Sequence, residues 1–521
     1  MRLKKGKVPT PKLVRWLLIA STLLSFTTFS ITPAAEAVSG CSSVDRVPGW
    51  VARENAKLGT LHWDSTPPPK YSGTVSGWFD KVSAQCGENV GLHLSGNDRP
   101  VVVKIFRMGY YNGDYSRLVY TTTTEIVAKG SSPIKTPKTN TIYTTWPVSL
   151  NIVIDSRFPT GIYMAQFDDG SKVSYAPLVV KDNQPTSPLL LVVSTFTWQA
   201  YNIWGGWNLY YSPKKNVYDP ARIVSFNRPY DRDGKSNYTI NEEGIVIAAE
   251  SAGLDVSYVT DNDIDRKEIS VSSVKALIFG GHSEYWSIQM QKTALEARDL
   301  GINLLFLGGN QAYWRTRLED DGRNMAVWKS DPADPYKEVP SMITNKWGAK
   351  PNPLNQSTLL GALFAGFGVT ADYKVKDGNS WPLSGSGLKT GDKIVGVVGN
   401  EVETIDRGAT PGVQTFLTSR VTLKNITYDI ALTYYDAKSK SGVLDVSTNG
   451  WVCSITRNCK WVATTEATSH YVKTITQNLM LEAGEGPLGI DHPAKVDIPQ
   501  RTDLVEICDL KCPDGSASTK S

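Results

Sequence analysis

The segment Lys275–Trp286, K-A-L-I-F-G-G-H-S-E-Y-W, sets His282, Ser283 and Glu284 in succession directly after an apolar run and two glycines. Histidine moves protons near neutral pH, a carboxylate serves as metal ligand or acid–base group, and serine is a potential nucleophile. An apolar strand, a glycine turn and a helix start are how an α/β sheet presents such groups at its carboxyl edge. Two other apolar runs end in the same manner. Leu189–Ser194 continues into Thr197-Trp198-Gln199-Ala200-Tyr201-Asn202, and Ile302–Leu307 leads to Gly308-Gly309-Asn310. In a doubly wound sheet these three ends lie side by side, where such folds bind ligands.

The elements that must position these residues fall into two patterns. From about Pro48 to Lys181, short alternating runs are broken by Gly, Pro, Asn and Asp: 90–95, 101–107, 117–122, 149–154, 161–167 and 174–180 read as strands. That spacing predicts an immunoglobulin-like β-sandwich over 38–183. A polar joint with prolines, Asp182–Pro188, separates it from an α/β doubly wound domain over 188–484. There, strands at 189–194, 254–259, 274–279 and 302–307 alternate with helices at 241–252, capped by Asn241, and 287–300. Segments 392–398, 430–435 and 443–447 extend the sheet, 464–480 is a closing helix, and 485–521 reads as a polar tail.

Residues 1–37 carry a basic start (Arg2, Lys4, Lys5, Lys7, Lys12, Arg15), an apolar core over 17–31 and the small-x-small site Ala35-Glu36-Ala37, a secretory signal. Its removal takes away six basic groups and one acid, so the formal charge falls from +4 to −1. No basic stripe remains, which excludes a nucleic-acid surface, and no second membrane span follows. Val38-Ser39-Gly40-Cys41 resembles a lipobox, a competing fate for the exported chain. The six cysteines, an even count in an exported chain, favour disulfides. The expected pairs are Cys453–Cys459, Cys508–Cys512 and Cys41–Cys86, with cross-pairing among the last four open.

Other motifs carry less. Asp231-Arg232-Asp233-Gly234 starts like a calcium loop and lacks its later ligands. There is no H-E-x-x-H helix and no phosphate loop. Glu401 and Glu403 could pair as acids, but nothing near them marks a sugar cleft, which sets a glycosidase aside.

T-W-Q-A-Y-N-x-W-G-G (197–206), S-F-N-R-P-Y (225–230), G-G-H-S-E-Y-W (280–286) and G-G-N-Q-A-Y-W-R (308–315) together resemble the N,N-dimethylformamidase large (beta) subunit family. F-R-M-G-Y-Y-N-G-D-Y-S-R-L-V (106–119) looks like the same family's β-region. The resemblance spans about 50–480 and implies a class I glutamine-amidotransferase-like catalytic domain without the amidotransferase cysteine. It also implies a mononuclear ferric iron held by two tyrosines and a glutamate, in an enzyme that hydrolyses an amide. Carried over, Glu284, Tyr201 and Tyr163 are the ligands, and His282, Asn310 and Lys329 are pocket residues. Phenolate and carboxylate oxygens suit ferric iron.

Three functions follow as expectations. The first is a secreted iron-dependent hydrolase of an amide-like C–N bond acting on a small-molecule, peptide or glycan substrate. The second is a serine hydrolase, with Ser283 in a nucleophile elbow, Asp445, and His470 or His492. This elbow departs from G-x-S-x-G at Tyr285. The third is a non-catalytic secreted or envelope protein that binds through the same aromatic cleft.

Overall fold

Two patterns of apolar residues give two kinds of sheet. The structure is a computed structural model and describes residues 44–64, 75–170, 172–213, 216–351, 354–406, 411–461 and 464–500. The expected signal, the lipobox with Cys41, and Cys508 and Cys512 lie outside them. Among the described residues no helix is long and apolar enough to cross a membrane.

In the N-terminal region, a three-stranded sheet (Ser76–Phe79, Asn89–Ser95, Val148–Val153) faces a five-stranded one. The longer strands of the second are Arg99–Met108, Ser116–Val127, Gly161–Asp168 and Val173–Val180. Alternate residues separate inside from outside, as a pleated strand requires. Tyr163, Ala165 and Phe167 enter the core between the two sheets. Ile162 and Met164 turn the other way, into a core shared with the α/β region. The sandwich is therefore packed against its neighbour through a common apolar core.

The second region holds a nine-stranded sheet. Val256–Thr260, Leu189–Val193, Ala276–Phe279, Asn303–Phe306 and Gly442–Asp445 run parallel in that spatial order. Leu189, Leu191 and Val193 face one core with the helices Glu243–Ser251, Gly450–Thr456 and Glu466–Glu485. Leu190 and Val192 face another with Ile288–Asp299. This half carries helices on both faces, as expected. The other half departs from the doubly wound expectation. Ile426–Asp436, Gln414–Leu423, Ala362–Val375 and Lys393–Ile405 are antiparallel, so the sheet is mixed. Long hairpins join these strands, and a hairpin needs no crossover helix.

Several expected boundaries shift for visible reasons. The helix expected from Asn241 is broken into Ser236–Asn241 and Glu243–Ser251. The Asn241 carbonyl accepts from Gly281 N (2.8 Å), and the Glu242 carboxyl is buried against Ser194 N and Trp198 Nε1. A strand, Tyr285–Ser287, stands between Glu284 and the next helix and pairs in parallel with Trp314–Glu319. Ser287 caps that helix through Met290 N. The expected tail is partly folded: Leu488 is buried, and Ile498 bridges to Val413. Cys453 and Cys459 form a disulfide. Cys86 is also disulfide-bonded.

Candidate active site

The ends of Leu189–Val193, Ala276–Phe279 and Asn303–Phe306 are adjacent in the sheet, and all three deliver residues to one place. The two glycine turns pack on one another. A Cβ on Gly308 would lie 2.1 Å from the Gly281 carbonyl oxygen, so any larger residue would force the strand ends apart.

Tyr201 is the last residue of the helix Thr195–Tyr201, which follows the first strand end. Beyond it, Gly205 and Gly206 adopt φ of 77° and 97° and reverse the chain. Asn208 fixes the reversal: its Nδ2 donates to the Tyr201 carbonyl, and its Oδ1 accepts from Tyr210 N and Tyr211 N. The buried Arg228 guanidinium donates to the carbonyls of Asn202, Trp204 and Trp207 and clamps the turn from beneath. No carboxylate faces it closely, and burial holds it down to about 10. This is the work of Arg228 in the S-F-N-R-P-Y motif. Tyr210 is thereby stacked on Tyr201, ring centroids 4.9 Å apart.

Both phenols converge on Glu284, which is 2 % exposed. Tyr201 Oη donates to Oε2 at 2.8 Å and Tyr210 Oη to Oε1 at 2.5 Å. Thr197 Oγ1 accepts from Glu284 N, tying the first strand end to the second. Among the described residues no arginine or lysine pairs with this carboxylate. Burial, then the Glu284 charge, pushes both phenols well above their ordinary range.

His282 Nε2 lies 3.3 Å from Glu284 Oε2, 3.3 Å from Tyr201 Oη and 3.7 Å from Glu401 Oε1. Its Nδ1 is 3.0 Å from the Gly309 carbonyl, a contact that requires a proton on Nδ1 and turns Nε2 toward the site. Burial would lower its pKa, but Glu401 and Glu284 outweigh burial and raise it to about 9. Glu401 comes from the Lys393–Ile405 strand and accepts from Asn310 Nδ2 at 2.7 Å. Burial raises Glu401, His282 opposes, and the Glu284 charge raises it further. Lys329 donates to the Leu209 carbonyl (2.9 Å), with Nζ 4.0 Å from the Tyr210 ring centre. It supports that tyrosine from behind, and burial lowers it to about 8.

Five of the six expected residues, Tyr201, His282, Glu284, Asn310 and Lys329, are thus at one site. Tyr163 is not. It is fully buried between the sandwich sheets, and its hydroxyl donates to the Pro159 carbonyl at 2.5 Å. Strand alternation points it away from the α/β region, and Tyr210 supplies the second phenol in its place. Tyr210 and Glu401 were missed as site residues, although Trp204-Gly205-Gly206-Trp207-Asn208 spells the reversal that returns Tyr210 to Tyr201. The serine arrangement does not form either. Ser283 is wholly buried and its Oγ accepts from Trp286 Nε1 (2.8 Å). His492 pairs with Glu482, and Asp445 bonds Ser447.

Among the described residues no group of three or more His, Cys, Asp or Glu could hold a metal. An oxygen set that includes phenols falls outside such a grouping, and Tyr201, Tyr210 and Glu284 are one. Their donor chemistry fits a hard cation: two phenol oxygens lie within hydrogen-bond reach of a buried carboxylate whose basic neighbour, His282, is shared with Glu401.

A family model described as "N,N-dimethylformamidase beta subunit-like, C-terminal" matches residues 102–461, and the chain belongs to this family. No curated protein matches. Among solved structures, domain 1 of VCBP3 from Branchiostoma floridae is 10 % identical, with a TM-score of 0.14 over 21 % of this chain and 95 % of that one. A Salmonella alpha-2-macroglobulin mutant, Y1175G, is 15 % identical, with a TM-score of 0.15 over 25 % and 8 % respectively.

Proposed function

We propose that the protein is an iron-dependent hydrolase of an amide C–N bond, with Tyr201, Tyr210 and Glu284 as the metal ligands. The observation that carries this reading is the pair of phenols bonded to one buried carboxylate that has no arginine or lysine partner among the described residues. Membership of a family described as dimethylformamidase-like supports it. The expected signal makes the working protein an exported one.

Ferric iron, when bound, supplies Lewis acidity for polarising the amide carbonyl. The chain's own groups do the proton work. Amide hydrolysis adds a water oxygen to the carbonyl carbon, breaks the C–N bond and protonates the departing nitrogen. Glu401 Oε1 and His282 Nε2 face each other across the site and are placed to take the water proton and return it to nitrogen. Asn310 holds Glu401 in place, and the Gly309 carbonyl holds the histidine. Thr197 anchors the Glu284 backbone and Lys329 packs behind Tyr210, which keeps these proposed ligands aimed.

Metal analysis and visible absorption of the purified protein test this. Wild type should carry about one iron with a tyrosinate band and release amine from a simple formamide. Tyr201→Phe and Tyr210→Phe keep the ring packing and should each lose the band and most of the iron. Glu284→Ala should abolish iron binding in a folded chain. A wild type that takes up no iron under aerobic or reducing conditions sinks the reading. Full iron in Tyr210→Phe removes that residue from the ligand set.

A further inference from the structure

A cavity of about 530 Å³ opens from the His282–Glu401 side of the site toward Lys460 and Trp461. That is the size of a site for a ligand far larger than a simple formamide. Its walls are distinctive in what they leave unused. The side chains of Asn237, Asn241 and Asn400 line it and make no hydrogen bond among the described residues. Trp461 also lines it, with its buried indole N–H unpartnered. The disulfide Cys453–Cys459 ends directly before Lys460 and Trp461 and anchors that rim to the helix Gly450–Thr456.

An asparagine amide both donates and accepts, so three free amides match groups that do the same, namely hydroxyls and amides. Aromatic walls such as Tyr211 and Trp461 suit the apolar face of a ring with a polar edge. Of the charged groups at this cavity, Asp231 has Arg232 beside it at 3.7 Å and Glu401 faces His282, which leaves Lys460 at the rim. A peptide that bound by strand addition would need a free strand edge. The edge strand at this cavity, Lys393–Ile405, is already occupied here. Asn449 N donates to the Glu401 carbonyl, Glu403 N to the Ser447 carbonyl, and Gly399 N to Thr448 Oγ1.

We propose that the cavity binds an acylamino sugar, its ring hydroxyls held by Asn237, Asn241 and Asn400 and its acylated nitrogen directed to Tyr201, His282 and Glu401. The inference rests on the amide-hydrolase reading, and it names the substrate class of the same site. Calorimetry of the full-length protein with N,N′-diacetylchitobiose tests it without requiring turnover. Binding should be at least tenfold tighter than for cellobiose, which lacks the amides, and than for an N-acetylated dipeptide. Asn241→Ala should weaken it tenfold or more. Trp461→Phe, which keeps one aromatic ring and loses the indole N–H together with its five-membered ring, should weaken it severalfold. A thermal transition like that of wild type shows each variant folded. Wild-type affinity in both variants, or equal or tighter binding of cellobiose or the dipeptide, overturns the inference. Protein that holds iron and hydrolyses a formamide yet binds no diacetylchitobiose sinks the sugar assignment and leaves the hydrolase. Protein that binds the disaccharide but neither holds iron nor cleaves any amide does the reverse.

Discussion

Two clusters of buried charge in this molecule look alike in composition and behave differently. Where the sandwich meets the α/β region, Arg107 forms a two-pronged pair with Glu250 (2.7 and 3.1 Å). Glu54 beside it takes Arg117 at 2.6 Å and Tyr111 Oη at 2.9 Å. Each of these two carboxylates has a guanidinium, and further donors from Asn55, Tyr258 and Lys57 complete their shells. At the strand ends, Glu284 and Glu401 share one histidine, and the nearby Lys329 is spent on a backbone carbonyl and an aromatic ring. Balanced buried charge fixes a geometry, whereas at the strand ends two carboxylates share one histidine and the phenols add no charge. The first cluster is a rivet between regions. The second is the candidate site.

The comparison breaks most visibly at the rivet. Arg107→Met leaves Glu250 buried without its counter-charge and should cost about 3–5 kcal/mol, read by chemical denaturation. A loss under about 1 kcal/mol would show that the cluster is dispensable to the fold. The acid limb of stability tests the same balance. Burial opposes the charge on Glu54, but Arg107, Lys57 and Arg117 outweigh burial and hold its pKa at about 2, against an ordinary value of 4.5. Its contribution is therefore fully present above about pH 4.5 and is lost as pH falls from there toward 2. At ~1.4 kcal/mol per pH unit of depression, about 3 kcal/mol is at stake. Glu54→Gln should flatten this part of the stability–pH curve, and an unchanged slope would refute the assignment.

The sequence made the site more legible than the frame around it. Three apolar runs ending in Gly-Gly or aromatic residues marked the edge correctly, because strand ends in a parallel sheet are forced into one neighbourhood. The antiparallel half was legible only as fragments. Ala362–Val375 has no strict alternation, and bulges interrupt its pairing with Lys393–Ile405. Tyr210 was hidden by its surroundings, since an aromatic among Trp204, Trp207 and Tyr211 reads as packing until the Gly205–Gly206 reversal is followed in three dimensions. Glu401 comes from the far side of the sheet, a pairing that no local pattern announces.

Tyr163 sharpens the distinction between a phenol in a core and a phenol at a site. Among the described residues its hydroxyl bonds the Pro159 carbonyl and no charged group. Tyr163→Phe should cost about 1–2 kcal/mol for that lost bond and leave iron content and absorption unchanged. Loss of iron in this variant with wild-type stability would restore Tyr163 as a ligand and overturn its placement.

The smallest expected effect on stability belongs to Glu284, the anionic ligand of the proposed metal site. Glu284→Gln retains a carbonyl oxygen for one phenol, and the amide accepts the geometry of the other through its own N–H donating to Tyr oxygen. It removes a buried negative charge that only His282 offsets, so metal-free protein should change by less than about 1 kcal/mol, in either direction. Iron binding should nevertheless be lost, because a neutral amide cannot replace an anionic ligand. Stability and metal content measured on the same sample decide the matter. A destabilisation as large as that of Arg107→Met would make Glu284 a rivet of the same kind and dissolve the contrast between the two clusters.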